Sequence, residues 1–241
     1  ANLISTYTNG IIQDYVNQNN VLFTKPMQII LEVRMVYNEQ LKGSFMFVPG
    51  IMALILMLIS AMMTSISIVR EKEMGTMEIL LASPLKPFQI IVGKVVSYIV
   101  LAFINAVTIL LLGNFVFGVP IQGSVILLLF ECILYIILAL SLGILISSIT
   151  DNQQVAMMIS GFTLMLPVIL LSGFIFPIEN MPKALQWLCQ IMPAKWFIII
   201  IKNIMLKGMG IGYVWKETLI LIGMTILFLS ISLKKFKIRL D

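Results

Sequence analysis

Glu131 is the one carboxylate set well inside a long uncharged run, Val125–Ile149. An ionised carboxylate at such a depth is costly to hold, so residues of this kind often serve a substrate path or a gate. It also stands about two turns of helix from one end of the run, near enough to meet interfacial water or a partner helix. Other candidate chemistry is thin. The chain has no histidine, which removes histidine-based metal ligation and histidine-based triads together. Cys132 and Cys189 lie far apart without a CxxC, the pattern of neither a disulfide framework nor a metal site. The only Gly-Lys pair is Gly93-Lys94, and Phe88 stands where a P-loop needs its first glycine. Gly208, Gly210 and Gly212 have the wrong spacing for a dinucleotide fingerprint, and no strand precedes them. No span holds paired carboxylates. The chain is therefore not expected to do covalent chemistry by itself, and no catalytic residue, cofactor or metal of its own is expected.

A second group of polar residues is denser. The run Arg70-Glu71-Lys72-Glu73-Met74-Gly75-Thr76-Met77-Glu78-Ile79-Leu80-Leu81-Ala82-Ser83-Pro84 falls between the uncharged stretches Val48–Val69 and Val95–Phe115. Met74, Met77, Leu80 and Leu81 recur at helical spacing, with Glu71, Lys72, Thr76 and Glu78 on the remaining faces. This spacing predicts a short amphipathic helix over 70–83, stopped by Ser83-Pro84 because proline lacks an amide hydrogen and disfavours helix in the residue before it. A helix held between two spanning segments cannot move far without moving them. It is a natural place for a soluble partner to push, with Met74, Met77 and Leu81 as the buried side and Glu71 and Glu78 as polar contacts.

The elements that must position these residues follow from composition. The 241 residues are 60% hydrophobic and only 11% charged, against about 25% charged in soluble domains. So much apolar surface must face lipid, and the class is an all-α polytopic membrane protein. Spans are predicted over 48–69, 95–115, 125–149, 155–176 and 211–233, each long enough at ~1.5 Å per residue to cross a bilayer core. Thr150–Gln154 is a tight polar turn. Residues 177–207 hold Pro177, Pro182 and Pro193 and two apolar pieces too short to span, which read as interfacial or re-entrant helices. Pro167 and Gly173 permit a bend leading into Ser172-Gly173-Phe174-Ile175-Phe176-Pro177, a candidate outer gate at Pro167, Ser172, Gly173, Phe174, Phe176 and Pro177. Ala139, Gly143 and Ser147, four residues apart, make a small-residue stripe suited to close helix packing.

Residues 1–43 read as water-exposed and extracytoplasmic, the end of a small α/β domain, with 44–241 forming the membrane domain. Leu3, Ile4, Tyr7, Ile11, Tyr15 and Val16 predict an amphipathic helix, and the alternation across Ile29–Tyr37 predicts a strand. A lone strand needs partners, and an outer start before five spans needs a way across the membrane. Both lead to the expectation of one more spanning helix and more outer domain upstream. The positive-inside rule places Arg70–Lys94 and the tail Lys234-Lys235-Phe236-Lys237-Ile238-Arg239 in the cytoplasm, since basic residues are denser there than on the longer outer segments. The 16 basic residues flank apolar runs, which suits anionic lipid headgroups and not nucleic acid.

In order along the chain, several motifs resemble the permease subunits of ABC-2 type ABC transporters, in the bacterial multidrug-export branch that carries a periplasmic insert after its first helix. They are Val48-Pro49-Gly50, the run from Val69 to Glu78, Ser83-Pro84, Gly93-Lys94, Phe117-Gly118-Val119-Pro120 with Gly123-Ser124, Ser172 through Pro182, and Pro193. The resemblance implies six spans per subunit, of which these are the second to sixth. It implies a dimer of permeases, homo- or heterodimeric, in a bacterial inner membrane. The dimer would sit on two ATP-binding cassette subunits that carry ATP and Mg. It assigns Arg70–Ser83 as the coupling helix, with Arg70, Glu71, Glu73, Met74, Gly75, Thr76, Met77, Glu78 and Leu81 at the ATPase, and 177–207 as the helices that close the exit. Glu131 matches no hallmark of the family. A secondary transporter would need more buried ionisable groups than Glu131. An intramembrane enzyme would need the missing histidines or paired carboxylates, and an importer permease its Glu-Ala-Ala pattern.

Overall fold

The computed structural model describes residues 2–19, 42–76 and 87–238. The chain divides into two units, 1–41 and 42–241. In the first, α1 (Asn2–Asn19) is the helix that the apolar periodicity predicts, with Tyr7, Ile11 and Tyr15 exposed along it. The strand predicted at Ile29–Tyr37 lies outside the described residues.

The second unit carries five helices long and apolar enough to cross a membrane. They are α2 (Ser44–Glu73), α3 (Pro87–Phe115), α4 (Val125–Ile149), α5 (Gln153–Leu171) and, last in the chain, α8 (Ile211–Ile238). Between α5 and α8 come a 3-10 turn (Ile178–Asn180), α6 (Lys183–Ile191) and α7 (Pro193–Lys207). The described residues contain no strand. The chain is an all-α multi-pass membrane protein.

Several helices have other limits than the hydropathy suggests, and two of these ends bear on the site. Helix α2 does not stop at Val69 but runs on to Glu73, so Arg70–Glu73 are its last turn and not the start of a separate helix. The reason is local: nothing in Arg-Glu-Lys-Glu breaks a helix, whereas Gly75 takes a φ of 70°, a left-handed conformation that glycine adopts without strain. Helix α5 stops at Leu171, leaving 172–177 as irregular backbone. There the Ser172 hydroxyl donates to the Val168 carbonyl and accepts from the Phe174 amide at 3.2 Å, which satisfies polar groups that water cannot reach.

Helices α2 and α4 form the centre. Gly143 explains how closely they approach: a Cβ built there would lie 2.6 Å from the Ala61 carbonyl oxygen. Ala139 and Ser147 are buried on the same helix, so the small-residue stripe is a packing seam. Around this pair, α3 and α5 flank α2, and α8 lies on α4. Polar groups of the core pair across helices: Ser65 with Ser160 at 2.8 Å between α2 and α5, and the Ser232 hydroxyl to the Ser141 carbonyl at 2.9 Å between α8 and α4.

The turns follow from their caps. Ser124 accepts from the Leu127 amide at 3.4 Å to begin α4, and Asn152 accepts from the Gln154 amide at 2.8 Å to begin α5. Pro193 at the start of α7 breaks it from α6 with a bend of 82°. The pair is a broken or re-entrant segment of the kind the prolines predict.

Candidate functional site: a polar junction at one end of the bundle and an aromatic seat at the other

Three consecutive residues at the end of α2 fan out to three different helices. Glu71 pairs with Lys94 of α3, and the two side chains are only 25% and 21% exposed. Lys94 also donates to Ser67 at 3.4 Å, so α3 meets α2 at two levels. Lys72 donates to the backbone carbonyl of Ser147, in the last turn of α4. Glu73 Oε2 accepts from the Gln153 side-chain amide at 2.7 Å and from the Gln153 backbone amide at 3.3 Å, at the first turn of α5. Successive residues of a helix are about 100° apart, so three in a row reach most of the way round it. A helix flanked by three others can therefore use all three.

The signs of these charges suit their sites. The last four carbonyls of a helix lack partners within it and its C-terminus carries partial negative charge, while the N-terminus carries the opposite. Lys72 stands at the C-terminal end of α4 and Glu73 at the N-terminal end of α5. Arg70, Met74, Gly75 and Thr76 take the remaining directions and are exposed, Met74 by 60%. The Thr76 hydroxyl donates back to the Glu71 carbonyl at 3.2 Å, holding the end of the turn. Met77, Glu78 and Leu81, with the rest of the coupling helix expected over 70–83, lie outside the described residues beyond Thr76.

At the opposite end, Phe174 is buried and seated on α2. It meets Phe47 edge-on with ring centroids 5.7 Å apart. A Cβ on Gly50 would lie 1.9 Å from its ring, so only glycine leaves room for it. Of the other residues expected at an outer gate, Ser172 is buried beneath it, Pro167 lies within α5, and Phe176 and Pro177 are exposed with Gly173 partly buried. The re-entrant α7 is fastened nearby. Tyr135 and Phe197 stack at 3.9 Å, the Tyr135 hydroxyl donates to the Ala53 carbonyl at 3.1 Å, and the Gln122 amide donates to the Met205 carbonyl at 2.9 Å. Helix α6 leaves an apolar groove of about 450 Å³ against Met224, Leu227 and Phe228 of α8.

Glu131 is fully buried on α4. Its Oε1 accepts from the Thr218 hydroxyl of α8 at 2.7 Å, and its Oε2 has no partner. Thr218 is the helix neighbour that the depth argument anticipates for it, though no periodicity in the sequence singles it out. Sequence reasoning likewise passed over Gln153, Gly50 and Lys94 as partners. A Val-Pro-Gly at the start of a span was the available signal for a close approach. Among the described residues no group of His, Cys, Asp or Glu is arranged to hold a metal.

The chain spans about three fifths of the length of the bacterial relatives that it matches. It is 36% identical over 217 residues to the probable multidrug ABC transporter permease YbhR of Escherichia coli, covering 90% of this chain and 59% of that protein. It is 32% identical over 244 residues to the probable multidrug ABC transporter permease YbhS of the same organism, covering 100% of this chain and 64% of that protein. A more distant relative, ABC transporter G family member 20 of Dictyostelium discoideum, is 28% identical over 186 residues, 76% of this chain and 25% of that protein. No solved structure matches. The family model described as "ABC-2 family transporter protein" matches residues 1–234. This chain belongs to the ABC-2 transporter family.

Proposed function

We propose that the chain is the membrane-spanning part of an ATP-driven exporter permease of a bacterial inner membrane. Two copies, or this chain and a homologous one, stand on ATP-binding cassette subunits that carry the ATP and Mg. Residues 70–83 receive the push from the ATPase, and the segment from Pro167 to Pro177, with the helices that follow it, closes the exit. The observation that carries this reading is the continuity of α2. The helix at the centre of the bundle runs unbroken from the seat of Phe174 to Glu73, and the exposed Met74–Thr76 hang from its end. A displacement at that end is delivered directly to the core. The names of the bacterial relatives make drug-like compounds the first substrates to test.

The test is a charge in the amphipathic stretch. Met77→Asp puts a carboxylate into a protein interface, where an unpaired charge costs several kcal/mol, roughly the scale of a hot spot. On a membrane surface the same change is mild. Met77→Asp is expected to lose co-purification of the ATPase subunit and ATP hydrolysis by the complex. Retention of both at wild-type levels would remove the coupling role from this stretch.

A further inference from the structure

The resemblance assigns the whole run from Arg70 to Leu81 to the ATPase, but the geometry points to a division of labour within it. We infer that Glu71, Lys72 and Glu73 are positioning residues that face the chain's own helices, and that they make the cytoplasmic ends of α2, α3, α4 and α5 move as one body. Arg70, the residues from Met74 onward and the solvent-facing side of Glu73 are left for the partner. This inference rests on the reading of the chain as an ATP-driven permease and deepens it.

Three observations carry it. First, carboxylate oxygens of the motif are engaged within the chain: Glu71 Oε1 with Lys94, and Oε2 of the exposed Glu73 with two nitrogens of Gln153. Glu71 Oε2 is buried as well, so it does not reach outward. Second, the three ties end on three separate helices, which is what joining a bundle requires and what docking on one external groove does not. Third, the base-acid order of Lys72 and Glu73 is the order that the ends of α4 and α5 need. Exchanging Lys72 and Glu73 would place a cation at the N-terminus of α5 and an anion at the C-terminus of α4, each against the local field. Because the Glu71–Lys94 pair is only partly exposed, it is less screened than a surface pair and holds its geometry better. A push on the residues after Gly75 then reaches four helices at once instead of tilting α2 alone.

The experiment changes the partners and leaves the motif intact. Lys94→Met removes the cation that Glu71 holds and Gln153→Ala the shorter of the two hydrogen bonds to Glu73, and neither residue belongs to the docking stretch. The complex with its ATPase is purified in a background lacking Cys132 and Cys189. Ile175→Cys, on the exposed outer segment, is labelled with a membrane-impermeant maleimide with and without ATP and vanadate. With the clamp intact, nucleotide is expected to change the labelling rate by at least about threefold. In Lys94→Met and in Gln153→Ala the ATPase still co-purifies and hydrolyses ATP, while the nucleotide-driven change collapses towards onefold. The exchange Glu71→Lys with Lys94→Glu restores at least half of the change that either single substitution loses. A merely structural role would lower yield or melting temperature and leave the nucleotide-driven ratio of the surviving complex intact. The inference is overturned if both partner-side variants keep the full ratio, or if the charge exchange is no better than its singles. An intact-clamp complex that binds no ATPase overturns the permease reading and the clamp with it. One that binds ATPase but shows no nucleotide-driven change overturns the transmission alone.

Discussion

The two ends of the bundle are held by different physics. At the Glu73 end of α2 the contacts are charges and carbonyls: Glu71 with Lys94, Lys72 with Ser147, Glu73 with Gln153. At the Gly50 end they are mostly rings and notches: Phe174 in the space left by Gly50, Phe47 against its edge, Tyr135 stacked on Phe197. In a bilayer an apolar side chain meets lipid tails nearly as favourably as it meets another helix, so contacts of the second kind rest on shape fit. They can be exchanged for lipid at little cost. Contacts of the first kind are directional and are lost when a partner turns away. A bundle built this way is stiffer at its Glu73 end than at its Gly50 end.

The largest expected effect that would break this comparison is at Gly50. Gly50→Leu fills the seat of Phe174 and must eject the ring, a case of overpacking that costs on the order of 1–3 kcal/mol. Labelling of Ile175→Cys in the absence of nucleotide should rise by about tenfold, while ATPase co-purification is kept. Unchanged labelling would mean that the outer end is not a fitted plug. A smaller effect is expected at Tyr135. Tyr135→Phe keeps the stack on Phe197 and removes only the hydrogen bond to Ala53, worth roughly 0.5–1.5 kcal/mol. A loss in unfolding free energy well beyond that range would show that a polar tie, and not ring packing, fastens α7.

Glu131 sharpens the comparison from the middle of the bundle. Glu131→Gln keeps an oxygen to accept from Thr218 and removes the charge, so ATP-driven transport is expected to stay within a few-fold of wild type. Loss of transport in a well-expressed, assembled Glu131→Gln would make it a substrate or gating carboxylate. The smallest effect is expected where a side chain meets only lipid. Leu112 on α3 is about half exposed, and Leu112→Ala should change unfolding free energy by less than about 0.5 kcal/mol. A larger loss would reveal a protein neighbour on that face.

Much of this architecture could be read without a structure, and for a definite reason. A run of uncharged residues long enough to cross a bilayer has few alternatives, so each predicted span overlaps a long helix, and Val125–Ile149 coincides with α4. The re-entrant pair was legible because Pro193 cannot continue a helix from α6. The family was legible because the Arg-Glu-Lys-Glu-Met-Gly-Thr and Ser-Gly-Phe-Ile-Phe-Pro runs are specific as strings.

What no periodicity can supply is the identity of neighbours. In a charged last turn every face is polar, so the spacing of Glu71, Lys72 and Glu73 cannot separate a face that meets solvent from one that meets another helix. That depends on α3, α4 and α5 standing around α2. The end of α2 at Glu73 and not Val69 is of the same kind: hydropathy marks where the membrane stops, and the helix stops where its backbone must turn, at Gly75. Thr218 lies 87 residues from Glu131, and Gly50 lies far along the chain from Phe174. Composition and pattern determined that this chain is a multi-pass membrane protein and which family it belongs to, because burial in lipid constrains each helix by itself. Only the packing of helices decided which charges meet other helices and which stay exposed, because a side chain's role follows from what stands opposite it.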